Sequence, residues 1–490
     1  MTDLKKIFCC GFILISSSLL HAQHTKDPNI SITGLTTHTV DSAKKIVINE
    51  LLVTGTKKTK PYIVYREIQF KTGDSLSIAG LSTQLEQARQ QVYNTSLFNE
   101  VNLEAVVTDL AAVNITVTVK ERWYWYPVPQ FQWVDRNFNE WYKTYNARFD
   151  RVNYGLKFVH YNLSGRKDQL RVYLINGYSR NISFSYTAPY SNKALTEGFT
   201  VGAGFTQKRE VAYKTSYRDS LLFYPSDSAT KAKAHFVYKN WYAHASYIIR
   251  RGLFKKHIFS VSYNYIKLAD SVINKNNNPN YFGQPVSSKG YIDLSYVFQY
   301  SNLNNNSYPL KGISGFVGVI KRGLGFSGGI NMLNFEAGLN KYYDLGKNWY
   351  SSIQFNGKIK LPFEQAYINQ RGLGYGESYL RGLEYYVIDA VATGLAKTTL
   401  KKKILSFNVP FPFFPKLLTK IPFNFFAKTY ADVGYAYNKK PGTTYLNNRL
   451  LYSGGFGIDI LTLYDINLRF EYSFNQLNEN GLFLHNQSGF

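Results

Sequence analysis

The sequence predicts an all-β transmembrane antiparallel barrel of about 16 strands, preceded by one small α+β module of order βααββ. Three observations carry this. From Trp123 to Phe490, apolar and polar residues alternate with period two, between turns rich in Gly, Asn, Ser and Pro. Aromatic residues make up 17% of the 490-residue chain, with 41 Tyr and 34 Phe, yet the mean hydropathy is slightly negative. A barrel reconciles the two, because lipid-facing side chains alternate with polar lumen ones and aromatic girdles mark both interfaces. Beyond the N-terminal segment there is no run of about 18 apolar residues, so no spanning helix is expected.

Residues 1–22 read as a signal peptide. Lys5 and Lys6 form the charged start, Ile7–Leu20 the apolar run, and Leu20-His21-Ala22 the cleavage site before Gln23. Both cysteines, Cys9 and Cys10, fall inside it. A processed chain would hold no thiol, which excludes disulfide staples and thiolate chemistry. Residues 23–44 lack periodicity and read as a flexible leader.

The module occupies residues 45–122. An apolar strand runs from Ile46 to Val53 and is closed by the turn glycine Gly55. A helix follows at Ala79–Tyr93, with Leu81, Leu85, Ala88 and Val92 at helical spacing. Two alternating strands finish it: Val101, Leu103, Ala105, Val107, then Val113, Ile115, Val117, Val119.

The barrel is assigned to residues 123–490. Phe259, Val261, Tyr263 and Tyr265 oppose Ser260, Ser262 and Asn264, and Leu468, Phe470, Tyr472 and Phe474 oppose Arg469, Glu471 and Ser473. At roughly 23 residues per strand and turn, the region holds about 16 strands. Lys208–Lys233 and Ile273–Lys289 read as long polar outer loops. The first strand is placed near Pro127–Val134 and contains Pro127 and Pro129; the last lies near Gly481–Phe490, with Asn480, Gly481, Asn486 and Gly489 as weak strand formers. Both edges of the closing seam are therefore expected to pair poorly.

The order of elements in the module, with Gly55, Arg66, Gly73-Asp74, Ser96-Leu97-Phe98 and Val119-Lys120-Glu121 at their positions, resembles a POTRA domain of the BamA/TamA-like outer-membrane assembly family. The barrel resembles the bacterial surface antigen type of that family at scattered turns: Asn162-Leu163-Ser164-Gly165, Ala188-Pro189-Tyr190 and Tyr308-Pro309-Leu310-Lys311-Gly312. Leu380-Arg381-Gly382-Leu383 resembles the family motif that tips a loop folded back into the lumen, although Leu383 stands where relatives carry an aromatic. Tyr430-Ala431-Asp432-Val433-Gly434 resembles the late strand whose Asp faces inward. A guanidinium inside a barrel needs a counter-charge and several acceptors, so Arg381 is expected to pair with Asp432. A second acid must come from elsewhere, since none lies between Asp389 and Asp432.

The resemblance implies a machine in the outer membrane of a Gram-negative-type bacterium, with its POTRA domain in the periplasm. Its partners would be unfolded outer-membrane or secreted polypeptides, periplasmic or lipoprotein accessory factors, and membrane lipid. Insertion of outer-membrane proteins is the first reading. A two-partner-type secretion transporter is the second, but usually carries two such modules; a passive porin or surface enzyme needs none. The net charge of +25 is spread through strands and loops, which fits anionic headgroups rather than nucleic acid. No catalytic, metal or cofactor site is expected. Gly325-Phe326-Ser327-Gly328-Gly329 and Gly323-Leu324-Gly325-Phe326-Ser327-Gly328 match nucleophile and dinucleotide patterns only in letters, since no helix is expected to follow them. The eight His are scattered, none at metal-ligand spacing.

Overall fold

The computed structural model describes residues 29–33, 45–109, 112–133, 149–225, 235–410, 420–440 and 444–487. The signal peptide, most of the leader, Val134, part of the Lys208–Lys233 loop and the end of the chain from residue 488 lie outside the described residues.

The module comprises β1 (Ile30–Thr33), β2 (Lys45–Thr54), α1 (Pro61–Tyr65), β3 (Ser75–Ser77), α2 (Ile78–Tyr93), β4 (Phe98–Asp109) and β5 (Ala112–Glu121). Pro61 at the first helical position presets the backbone of α1. Leu81, Leu85, Ala88 and Val92 of α2 are buried in one core with Ile46, Ile48, Leu103, Ile115 and Val117 of the sheet. The five strands lie in the order β1-β4-β5-β2-β3. The leader reading needs correction here. Ile30–Thr33 is a strand, parallel to β4, with Ile30 opposite Leu103 and Ile32 opposite Ala105. Ile30 and Ile32 pack against the module core, which is what anchors so short a strand. β1 thus covers the β4 edge over Leu103–Val106.

Behind the module, a 16-stranded sheet runs from β6 (Trp125–Trp133) to the last strand, Asn480–Gln487, and neighbours in this order are antiparallel neighbours in space. Among the described residues no helix is long and apolar enough to cross a membrane. The sheet is inside out by the standard of a soluble sandwich. Phe259, Leu294, Val317, Leu339, Phe355, Val433 and Phe456 are exposed on its outer face, while Asn334, Asp432, Asp459 and Glu471 are buried on the inner one. Only a hydrocarbon surround makes that arrangement favourable, so the sheet is a transmembrane barrel wall.

The far-end loops are less polar than their sequence promised. Val211, Tyr281, Phe282 and Ile330 share a buried cluster with Ile266 and Leu268 of the wall. Asparagines stitch this cap together: Asn278 Nδ2 donates to the Tyr213 carbonyl at 2.5 Å, and Asn277 Nδ2 to that of Ser271 at 2.7 Å. The Gly323–Gly329 stretch is a turn between strands Gly312–Arg322 and Met332–Gly346, held by Asn331 Oδ1 accepting the Gly325 N–H at 2.9 Å.

Candidate functional site in the lumen and at the seam

The loop between strands Trp349–Leu361 and Ala392–Pro410 carries Arg381 into the lumen. The structure brings Arg381 and Asp432 together, both buried. Nε and the backbone N–H of Arg381 each donate to Asp432 Oδ2 at 3.0 Å, and Nη2 donates to Oδ1 at 2.5 Å. Nη1 donates to Thr399 Oγ1 at 3.0 Å and Nη2 to the Thr398 carbonyl at 3.1 Å. The guanidinium lies 4.0 Å from the centroid of the Tyr430 ring. Two glycines make the approach possible. Gly382 has φ of 88°, and a Cβ on Gly434 would lie 2.9 Å from Leu380 Cδ1. Leu383, in place of the motif's aromatic, is buried with Leu373, Leu380, Ile388 and Leu451.

The second acid is Glu471, 4.0 Å from Arg381 Nη1. It opens a chain of charges that sequence reasoning did not assemble. Lys428 Nζ donates to Glu471 Oε1 at 2.6 Å and also to Asp459. Asp459 is 3.0 Å from Lys401 Nζ and accepts the Tyr308 hydroxyl at 2.8 Å. Tyr308 belongs to the Tyr-Pro-Leu-Lys-Gly turn at the module end, so it reaches into the lumen from the side opposite Arg381. A polar cavity of about 420 Å³ lies between them. Glu471 already stood on the polar row of its strand, though without a partner, and Lys428 sits four positions before Asp432, so period-two counting along Lys420–Tyr437 could have found it.

At the other end the module is clamped to the barrel rim. Glu67 takes a forked bond from Arg250, with Nη1–Oε1 and Nη2–Oε2 both 2.6 Å, and accepts the Tyr190 hydroxyl at 2.6 Å. Burial opposes charge on Glu67, but the bonds and charge of Arg250 outweigh it and hold the carboxyl down to about 2. Asn162 Nδ2 donates to Thr59 Oγ1 at 2.9 Å, the Lys60 N–H to the Gly165 carbonyl at 3.0 Å, and Arg122 Nη2 to Asp465 at 3.0 Å. The landmarks Gly55, Gly73, Phe98 and Glu121 hold the module itself in shape. Gly55 closes β2, Gly73 donates its N–H to the Ile48 carbonyl at 2.8 Å, Phe98 is fully buried, and Glu121 accepts the Thr59 N–H at 2.7 Å.

The seam is unpaired: among the described residues, β6 and Asn480–Gln487 form no ladder with each other. Register explains how. The Tyr161 N–H bonds to the Tyr124 carbonyl, and Trp125 faces His160, so even-numbered residues of β6 aim their backbone groups at the next strand. Odd-numbered ones aim at the seam, and there Pro127 and Pro129 supply no N–H. Gln130 Nε2 meets the Pro129 carbonyl at 3.2 Å, and the Trp123 indole donates to that of Trp125. On the last strand the Asn475 N–H to Glu479 carbonyl bond fixes the opposite parity, leaving Asn480, Leu482 and Leu484 facing the seam with donors and acceptors intact. The two edges thus differ, where both were expected to be weak.

A POTRA-type module clamped to a 16-stranded wall with an open seam defines a POTRA-plus-barrel protein. Residues 46–122 match the family described as POTRA, surface antigen variable number repeat. Among solved structures, CdiB from Escherichia coli matches with TM-score 0.51 at 10% identity, covering 90% of this chain and 75% of that one. BamA from Haemophilus ducreyi lacking POTRA domains 1-3 matches with TM-score 0.48 at 16% identity, covering 90% and 83%. The CdiB likeness is one of fold. No curated protein matches the chain by sequence.

Proposed function

We propose that the protein is an outer-membrane assembly factor whose POTRA domain meets polypeptides in the periplasm and whose seam admits β-strands laterally. The open seam supports this reading most. Strands cannot leave N–H and C=O groups unpaired in lipid, so an edge held open invites an incoming strand. The donor-complete edge of Asn480–Gln487 is the better template of the two. Filling of the lumen by Arg381 from one end and Tyr308 from the other favours a lateral route over one through the centre. The resemblance of fold to CdiB keeps polypeptide secretion as the second reading. In that case the Arg381 loop would have to leave.

The test uses cysteines at Pro129 and Leu484, in a chain with no other thiol once the signal peptide is removed, joined by a short bis-maleimide. Loss of client insertion in the joined form, restored when a cleavable linker is cut, is the expected result. Full activity of the joined form would overturn the lateral route and favour passage through the lumen.

A further inference from the structure

The Arg381 loop touches more than the wall opposite its ion pair. Tyr379 stacks on His485 with centroids 5.6 Å apart, Tyr385 lies 5.3 Å from Phe483, and Asn475 Nδ2 donates to the Gly382 carbonyl at 2.8 Å. The loop therefore leans on the last two strands, beside the seam. Within that contact three side chains converge. Glu384 Oε1 and Glu471 Oε2 each lie 3.4 Å from His485 Nε2, and the three atoms fall within 4.8 Å of one another. All three are shut from solvent and make no hydrogen bond among the described residues, and the Glu471 side chain is only 1% exposed.

The remaining oxygens are already employed. Glu384 Oε2 accepts the Gly382 N–H at 2.6 Å, and Glu471 Oε1 accepts from Lys428 at 2.6 Å. Each carboxylate is thus oriented by an outer partner, with its spare oxygen aimed at the imidazole, as supporting contacts orient ligands at metal sites. The two carboxylate–imidazole distances also fit. Ligand bonds of about 2.1 Å in tetrahedral geometry put neighbouring ligand atoms about 3.4 Å apart.

We propose that Glu384, Glu471 and His485 form a divalent-cation site that fastens the inserted loop to the last two strands. One nitrogen and two carboxylate oxygens suit Zn²⁺, whereas Ca²⁺ and Mg²⁺ demand larger all-oxygen shells. A fourth position is open to water. The cation would tie Glu384 on the loop to His485 on the strand that bounds the seam, so its binding would hold that edge in place. The site stands on its own geometry, independent of the assembly reading.

Full-chain protein in detergent, stripped by chelator, is titrated with Zn²⁺ by calorimetry. The wild type should take up a single tight equivalent, and Glu384→Gln and His485→Gln should each weaken it by at least tenfold. Retained heat-modifiability on gels shows that both variants keep a folded barrel. Amide exchange across 480–487 should slow on adding Zn²⁺ in the wild type only. Absence of Zn²⁺ uptake by the wild type, as a bare imidazolium between the two carboxylates would give, overturns the proposal. So does uptake unchanged in both variants, or exchange that Zn²⁺ leaves unaltered.

Discussion

Arg381 satisfies its charge on every side: two oxygens of Asp432, a hydroxyl, a carbonyl and an aromatic face. Removing either partner strands a buried charge, at a cost of roughly 3–5 kcal/mol. Arg381→Ala and Asp432→Ala should therefore free the inserted loop, read as faster proteolysis within 362–391, and lower client insertion while the barrel stays heat-modifiable. Lys at 381 should substitute poorly, because an ammonium cannot reproduce the fork. The swap Arg381→Asp with Asp432→Arg should recover part of the loss. At this scale the pair was legible because both members sit in short motifs. Glu384 and His485 were not, since no spacing links a loop residue to a strand residue a hundred positions further on.

At the scale of elements, β6 illustrates how a local rule gains meaning only from register. The prolines were visible in the sequence, but their effect depends on parity. Shifted by one residue they would have broken the ladder to the next strand; at 127 and 129 they blunt the seam alone. Pro127→Val with Pro129→Val should restore those donors, and amides across 125–131 should exchange more slowly as the seam zips. Client insertion should fall, and unchanged exchange would show that the prolines do not hold the edge open. The wall strands were legible from period-two alternation, as was α2 from its apolar face. Strand β1 was not, because four residues with two isoleucines carry too little pattern to outweigh a polar leader. The folding of the outer loops also escaped notice, since their core is shared among segments far apart in sequence.

Over the whole molecule, the module and the wall meet through buried ion pairs at Glu67–Arg250 and Arg122–Asp465. With Glu67 held to about 2 when folded, against 4.5 ordinarily, its contribution to docking is complete above pH 4.5 and is lost as pH falls toward 2. Amide exchange in α1 should accordingly rise over that window, and in Glu67→Gln it should be raised at neutral pH and flat across it. A module that swings freely at pH 7 in the wild type would contradict this.

The clamp has a kinetic side. A module on a loose tether would present a captured segment to the seam from a wide cloud of positions. Fixed at the rim, it would confine that segment to a small volume, and the proposed transfer would become an intramolecular step governed by effective concentration rather than by diffusion from bulk. Under the proposed assembly function, neither the module nor the seam would then need high affinity for an unfolded chain, and low affinity at both would let a finished barrel leave.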